Sequence, residues 1–351
     1  MLGKFHRVVA PQSGVSHHCL QGLQTIEKRV PMENPLASLS CDLDDKWAYM
    51  KTHGNPAWKA LPSYLDVVVP RILSALAQHR LKATFFLVGQ DAALERNLDQ
   101  LGAIAAAGHE IGNHSFHHDP WLHRYAEEDM ARELTMAEEH IERATGQRPV
   151  GFRGPGYSLS RSTVTELNRR GYLYDASTLP TFIGPLARAY FFMSSAFTRE
   201  EAAFRSAIFG GLRDGLRRIQ PYRWDVGGEG LLEIPVTTMP FFRIPIHFSY
   251  LLYLSLYSRW AAQAYFRTAL ALCRTSGVEP SLLLHPLDFL GSDEADGVAF
   301  FPGMGLPLTH KLDMIGWALE ELKHTFQVVT MRDHALKIER QSSLPVLNPT
   351  I

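Results

Sequence analysis

From residue 36 the chain alternates between short apolar runs ending in polar side chains and longer stretches with apolar positions at helical spacing. Leu36-Ala37-Ser38-Leu39-Ser40-Cys41 runs into Asp42-Leu43-Asp44-Asp45, the pattern of a barrel strand delivering carboxylates at its C-terminal end. A helix is predicted over 65–78, with Pro70 near its first turn. Ala83 to Gly89 is a strand rich in β-favouring residues, and Leu94 to Ala107 a helix closed by Gly108. His109 to Asn113 is a short strand, Glu127 to Ala144 a helix stopped by Gly146 and Pro149, and Val150 to Arg153 a strand. Gly171-Tyr172-Leu173-Tyr174-Asp175 again ends a strand in a carboxylate. Such alternation predicts an α/β domain with parallel pairing and functional groups gathered at the strand C-termini.

Between Pro180 and Gly230 the alternation breaks. Phe204, Ile208, Leu212, Leu216 and Ile219 form an apolar stripe flanked by Arg205, Arg213, Arg217 and Arg218, which predicts a helical insertion over about 181–230. Strand character returns at Leu231 to Val236. An apolar, tyrosine-rich segment occupies about 241–272, and Ser281 to Pro286 reads as a strand delivering His285. A helix over 312–324 and a strand over 326–330 close the pattern. The expected organisation is a weakly ordered extension over 1–35, one elaborated domain over 36–335 and a tail over 336–351.

Composition narrows the function classes. Lys+Arg of 35 against Asp+Glu of 36 gives a net charge of −1, so nothing global draws the chain to nucleic acid. Cys19, Cys41 and Cys273 are too few and too scattered for a disulfide framework or a paired-cysteine zinc site. The first thirty residues lack an apolar core of signal-peptide length, and Ile244 to Trp260 falls short of a spanning helix. A cytoplasmic location is expected, with peripheral contact at the inner membrane face as an extension of that reading.

Candidate chemistry centres on Gly108-His109-Glu110-Ile111-Gly112-Asn113-His114-Ser115-Phe116-His117-His118. If Asn113 caps a helix, His114 and His118 leave one face of its first turns and can bind one metal ion. The alternative is a histidine-rich surface loop, since the chain has 16 histidines. Asp42 and Asp44 lie two apart, on one face of their strand. For Arg153 and Asp175 a structural salt bridge is the competing reading.

Taken in order, these motifs resemble the NodB-type polysaccharide deacetylases, carbohydrate esterase family four. The resemblance implies an irregular (β/α)7-type barrel, here with a helical insertion, that hydrolyses an N-acyl group on an amino sugar. It places metal ligands at His114, His118 and Asp44 and the general base at Asp42, while leaving open a register with Asp44 as base and Asp45 as ligand. Arg153-Gly154-Pro155-Gly156-Tyr157 matches the family's arginine motif with one extra residue, which puts an oxyanion donor near Tyr157. His285 becomes the general acid, supported by Asp175, and Arg153 holds Asp42. The implied cofactor is a divalent metal, zinc first. The implied substrate is an acetylated or formylated amino sugar, in a glycan or linked to a lipid. Hydrolysis of a small cyclic amide and a non-catalytic glycan- or lipid-binding role are the competing readings.

Overall fold

The computed structural model describes residues 34–184, 212–340 and 343–349. Strand β1 (Leu36–Leu43) lies at its centre, and all of its residues are buried. Its two faces differ. Ala37, Leu39, Cys41 and Leu43 join the main apolar core with residues of the helices Leu65–Gln78 and Arg259–Thr275. Ser38, Ser40, Asp42 and Asp44 alternate onto the other face, where Ser40 and Asp42 meet Arg153. A period of two thus gives β1 an apolar outer face beneath the helices and a polar inner face.

The remaining strands are β2 (Thr84–Leu87), β3 (Glu110–Asn113), β4 (Gly151–Phe152), β5 (Tyr174–Asp175), β6 (Tyr222–Trp224), β7 (Leu231–Glu233), β8 (Ser281–Leu284), β9 (Gln327–Val329) and β10 (Val346–Leu347). The order β7-β5-β4-β3-β2-β1-β8 is parallel throughout. Thr237, just past β7, closes the ring: its N–H donates to the Ser281 carbonyl at 3.0 Å, and its Oγ1 accepts the Ser281 N–H at 2.8 Å. The result is the expected irregular α/β barrel. One line of registered partners, Leu43, Leu87, Asn113, Phe152, Asp175 and Glu233, runs across six strands. Asp44, His114 and Arg153 each stand one residue beyond it, so hydrogen-bond register alone brings them to one rim.

Three segments depart from the sequence-based expectation. Of the predicted insertion, residues 185–211, including Phe204 and Ile208, lie outside the described residues. Its end is not helical, because Tyr222–Trp224 pairs antiparallel with β7 through a glycine-rich turn. Gly230 in that turn has φ 73°, and a Cβ there would sit 2.4 Å from the Trp224 carbonyl oxygen. The helix expected over 94–107 begins later, at Leu98, after a single 3-10 turn.

The third departure is the tail. The helix Met331–Glu339 crosses the expected domain boundary, and β10 pairs with β6. Met331, Ala335 and Ile338 pack against Phe86, Tyr174, Leu232 and Ile234, so the helix fills the barrel. The Met331 N–H donates to Thr84 Oγ1, and the Arg332 N–H to Glu110 Oε2, both at 2.8 Å. A carboxylate at a helix N-terminus is favourable. The first 33 residues of the expected N-terminal extension lie outside the described residues. Among the described residues, no helix is long and apolar enough to cross a membrane.

Candidate active site

Asp44, His114 and His118 converge with one ligand atom apiece, all within 4.8 Å of one another. Asp44 Oδ1 lies 3.2 Å from His114 Nε2 and 3.0 Å from His118 Nε2. His114 Nδ1 is 2.6 Å from the Arg153 carbonyl oxygen, which can only accept. The proton of a neutral His114 therefore sits on Nδ1, and Nε2 presents a lone pair to Asp44. Among the described residues, Asp44 Oδ1 and both ring nitrogens of His118 are buried with no hydrogen-bond partner. Lone pairs facing one another out of solvent are costly unless a cation lies among them. Two imidazoles and one carboxylate are the donor set of a zinc-like ion with open coordination positions.

The histidines do not ride on a helix. Asn113 Oδ1 accepts the Ser115 N–H at 2.8 Å and turns the chain immediately after β3. Ser115 and His118 adopt φ of 63° and 52°, a conformation costing non-glycine residues roughly 1–3 kcal/mol each. Glu133, buried in the helix Glu127–Thr145, holds the loop in place. Its Oε1 accepts the N–H groups of Phe116 and His117 at 2.8 and 2.6 Å, and its Oε2 lies 2.7 Å from His117 Nδ1. Nothing in the local sequence marks Glu133, because the helix projects it across from 16 residues away.

Asp42 sits beside this cluster under Arg153. Arg153 Nη1 donates to Asp42 Oδ1 at 2.6 Å and to Ser40 Oγ at 2.9 Å, and Nε to the Ala176 carbonyl at 3.0 Å. The guanidinium lies 4.4 Å from the Phe86 ring centroid. Burial resists ionisation of Asp44, but His118 and His114 together outweigh it and hold that carboxyl well below the usual carboxylate range. Asp45 points elsewhere: its Oδ1 accepts the N–H groups of Lys46 at 2.7 Å and Tyr64 at 3.0 Å, capping the helix Lys46–His53. The register with Asp45 as a ligand finds no support in this geometry.

Leu284 pairs with Cys41, so His285 stands level with Asp42 on the neighbouring strand. Among the described residues no hydrogen bond or ion pair joins it to Asp175. Asp175 Oδ1 accepts Ser177 Oγ–H, and its strand partner is Glu233, whose Oε2 accepts Trp224 Nε1–H at 3.0 Å. Burial pushes both carboxyls up, Glu233 further because of Asp175. The reason is topological, since β7 separates β5 from β8 around the ring. His285 Nδ1 instead meets Ser249 Oγ at 3.0 Å, and its ring lies 5.8 Å from that of His247. Burial, then His285 and Arg153, hold the His247 imidazole neutral. Tyr157 has φ 60°, and its N–H is committed to the Gly154 carbonyl at 2.9 Å, so that amide is not an open oxyanion donor. Its phenol is pushed up by burial and by Asp42, and stays protonated.

Residues 60–174 match the sequence model of the polysaccharide deacetylase family. A Helicobacter pylori peptidoglycan deacetylase is 33% identical over 116 residues, which are 32% of this chain and 38% of that protein. A Bacillus cereus peptidoglycan-N-acetylglucosamine deacetylase is 40% identical over 86 residues, 24% of this chain and 30% of that protein. Residues 60–174, about a third of the chain, thus carry the polysaccharide deacetylase sequence pattern. The chain spans 38% and 30% of the length of these two relatives. The family match contains His114, His118 and Arg153, whereas Asp42, Asp44, Asp175 and His285 fall outside it. Similarity of fold extends further: a Mycobacterium smegmatis structure solved as a candidate polysaccharide deacetylase covers 96% of this chain, and 97% of its own length, at a TM-score of 0.56 and 21% identity.

Proposed function

We propose that this protein is a metal-dependent hydrolase that removes an N-acyl group, acetyl first, from an amino sugar in a glycan or lipid-linked glycan. The observation that carries the reading is the convergence of Asp44, His114 and His118 beside the buried Asp42–Arg153 pair. The names of the family relatives support the choice of an acetylated amino sugar.

Asp44, His114 and His118 would hold the divalent ion, zinc by donor set. When bound, it supplies Lewis acidity toward a carbonyl oxygen and makes a water more acidic. Asp42 takes the proton of the attacking water, and Arg153 keeps that carboxylate aimed. The Tyr157 phenol is a protonated donor for the developing oxyanion. His285 gives a proton to the departing amine, which leaves poorly as an anion.

The test compares metal content and acetate or formate release, from acetylated oligosaccharides and lipid-linked amino sugars, in wild type, His114→Ala and Asp42→Asn. Release should need both residues, with metal lost only from the histidine variant. A metal-loaded wild type that releases no acyl group from any of these substrates would defeat the proposal.

We further propose a cytoplasmic location with peripheral contact at the membrane. Phe241, Phe242, Tyr257 and Trp260 are exposed aromatic side chains. Arg243, next to Phe242, donates to the Arg217 carbonyl at 2.9 Å and so ties that loop to Arg213, Arg217 and Arg218. Exposed aromatics near basic residues suit an anionic lipid surface.

A further inference from the structure

His285 is held from behind by two buried residues that the deacetylation chemistry above leaves unused. Ser249 Oγ lies 3.0 Å from His285 Nδ1 and 2.7 Å from Asp288 Oδ1. Asp288 Oδ2 accepts the backbone N–H of His285 at 2.8 Å, so one carboxylate grips both the peptide and, through Ser249, the ring. Ser249 is 3% exposed and Asp288 2%. Ser249 stands in the first turn of the helix Phe248–Ser255, and Asp288 in a short 3-10 turn fixed by Pro286.

The donor count dictates the direction of these bonds. Burial pushes the Asp288 carboxyl up, against His285, the Ser249 hydroxyl and Lys311, which favour its charge; ionised, it can only accept, and the one hydroxyl proton of Ser249 goes to it. The lone pairs left on Ser249 Oγ need a donor, so His285 carries its proton on Nδ1. Its Nε2 is then the atom that gains and gives up the catalytic proton. An imidazolium has N–H on both nitrogens, and its Nδ1–H keeps the same bond.

Other ionisable groups border the unit. The His247 ring is 5.8 Å from His285. Lys311 Nζ donates to the Leu287 carbonyl at 2.8 Å, and Tyr49 and Cys41 lie close enough to feel the charge of Asp288. None of them is hydrogen-bonded to the His285 ring among the described residues.

We infer that Ser249 and Asp288 are positioning residues for His285, forming a hydrogen-bonded relay that fixes its tautomer and orients its ring. The inference rests on the deacetylation reading for its kinetic consequence, but its structural content does not.

The discriminating experiment exploits leaving groups. Metal-loaded full-length wild type, Ser249→Ala, Ser249→Thr and Asp288→Asn are assayed on an N-acetylhexosamine oligomer and on 4-nitrophenyl acetate, whose leaving group needs no proton. Ser249→Ala and Asp288→Asn should lose about 10- to 100-fold on the amide and less than about threefold on the aryl ester. Ser249→Thr, which keeps the hydroxyl, should restore most of the loss. Equal losses on both substrates, or none on either, would overturn the relay. Nitrogen-15 shifts of His285 read the tautomer directly, whether or not the amide is turned over. Nδ1 protonated in wild type, with that preference lost in Ser249→Ala, supports the relay, and Nε2 protonated in wild type overturns it. A wild type inert toward every amide but with Nδ1 protonated would defeat the deacetylation reading alone.

Discussion

Arg153 Nη1 lies 2.6 Å from Asp42 Oδ1, with the arginine side chain fully out of solvent and the carboxylate nearly so. Removing one partner of such a pair strands the other's charge in the interior, at a cost of about 3–5 kcal/mol. Arg153→Leu should therefore lose stability on that scale in urea unfolding, along with acyl release. A variant within about 1 kcal/mol of wild type would show that the pair does not hold this part of the barrel.

Metal binding should be visible without any substrate. At a free zinc concentration about 100 times Kd, a ligand specific to the folded state adds about 2.7 kcal/mol, on the order of 5 °C in a domain of this size. Scanning calorimetry with zinc and with a chelator should show this shift in wild type and not in His114→Ala. Identical shifts in both proteins would place the metal elsewhere.

Glu133 fixes the loop that carries both histidines. Glu133→Gln keeps the shape but weakens the acceptor shared by the Phe116 and His117 amides, and it should reduce zinc affinity roughly 10- to 100-fold. Titration calorimetry measures this, and an unchanged Kd would mean that β3 alone positions the ligands.

Acid stability should depend on His109. Burial, then Lys82, lowers its imidazole to about 4, and its Nδ1 accepts the Ala83 N–H at 3.2 Å, as a neutral ring must. Between an unfolded value near 6.5 and the folded value near 4, the unfolded chain binds the extra proton. Stability is thus fully present above about pH 6.5 and declines as pH falls toward 4. His109→Gln should flatten that decline in urea midpoints measured across the window, and an unchanged slope would assign it to other groups.

Lipid contact is tested by co-sedimentation with vesicles containing anionic lipid. Wild type should pellet with them, and Phe241→Ser combined with Trp260→Ser should stay in the supernatant. A wild type that ignores such vesicles at low salt would remove the membrane proposal.

What could be read along the chain was whatever repeats locally. The alternation Ser38, Ser40, Asp42, Asp44 sets a polar face by strand period, and parallel register then aligns Asp44 with His114 and Arg153. Partners chosen by three-dimensional neighbourhood were not legible in the same way. Ser249 and Asp288 stand where the resemblance suggested Asp175, and Glu133 reaches the histidine loop from another helix. The histidine spacing of four matched a helical turn but is met by a left-handed loop, because Asn113 bonds the Ser115 amide instead of capping a helix. The helix Met331–Glu339 continued past the expected boundary because Ile338 still had an apolar face to bury inside the barrel.

That helix also sets an order of events during synthesis. Met331 Sδ touches Arg153 Nη2 at 3.5 Å, and His334 Nδ1 lies 3.0 Å from Ser38 Oγ, 296 residues upstream. Until residues in the 330s have left the ribosome, β1 lacks its β9 partner and Arg153 lacks the floor beneath it. Asp42 is among the first described residues to be made, and the arginine that grips it is bounded on its other side by Met331, among the last. A nascent chain would therefore hold the Asp42–Arg153 pair without its Met331 neighbour until that last helix is made.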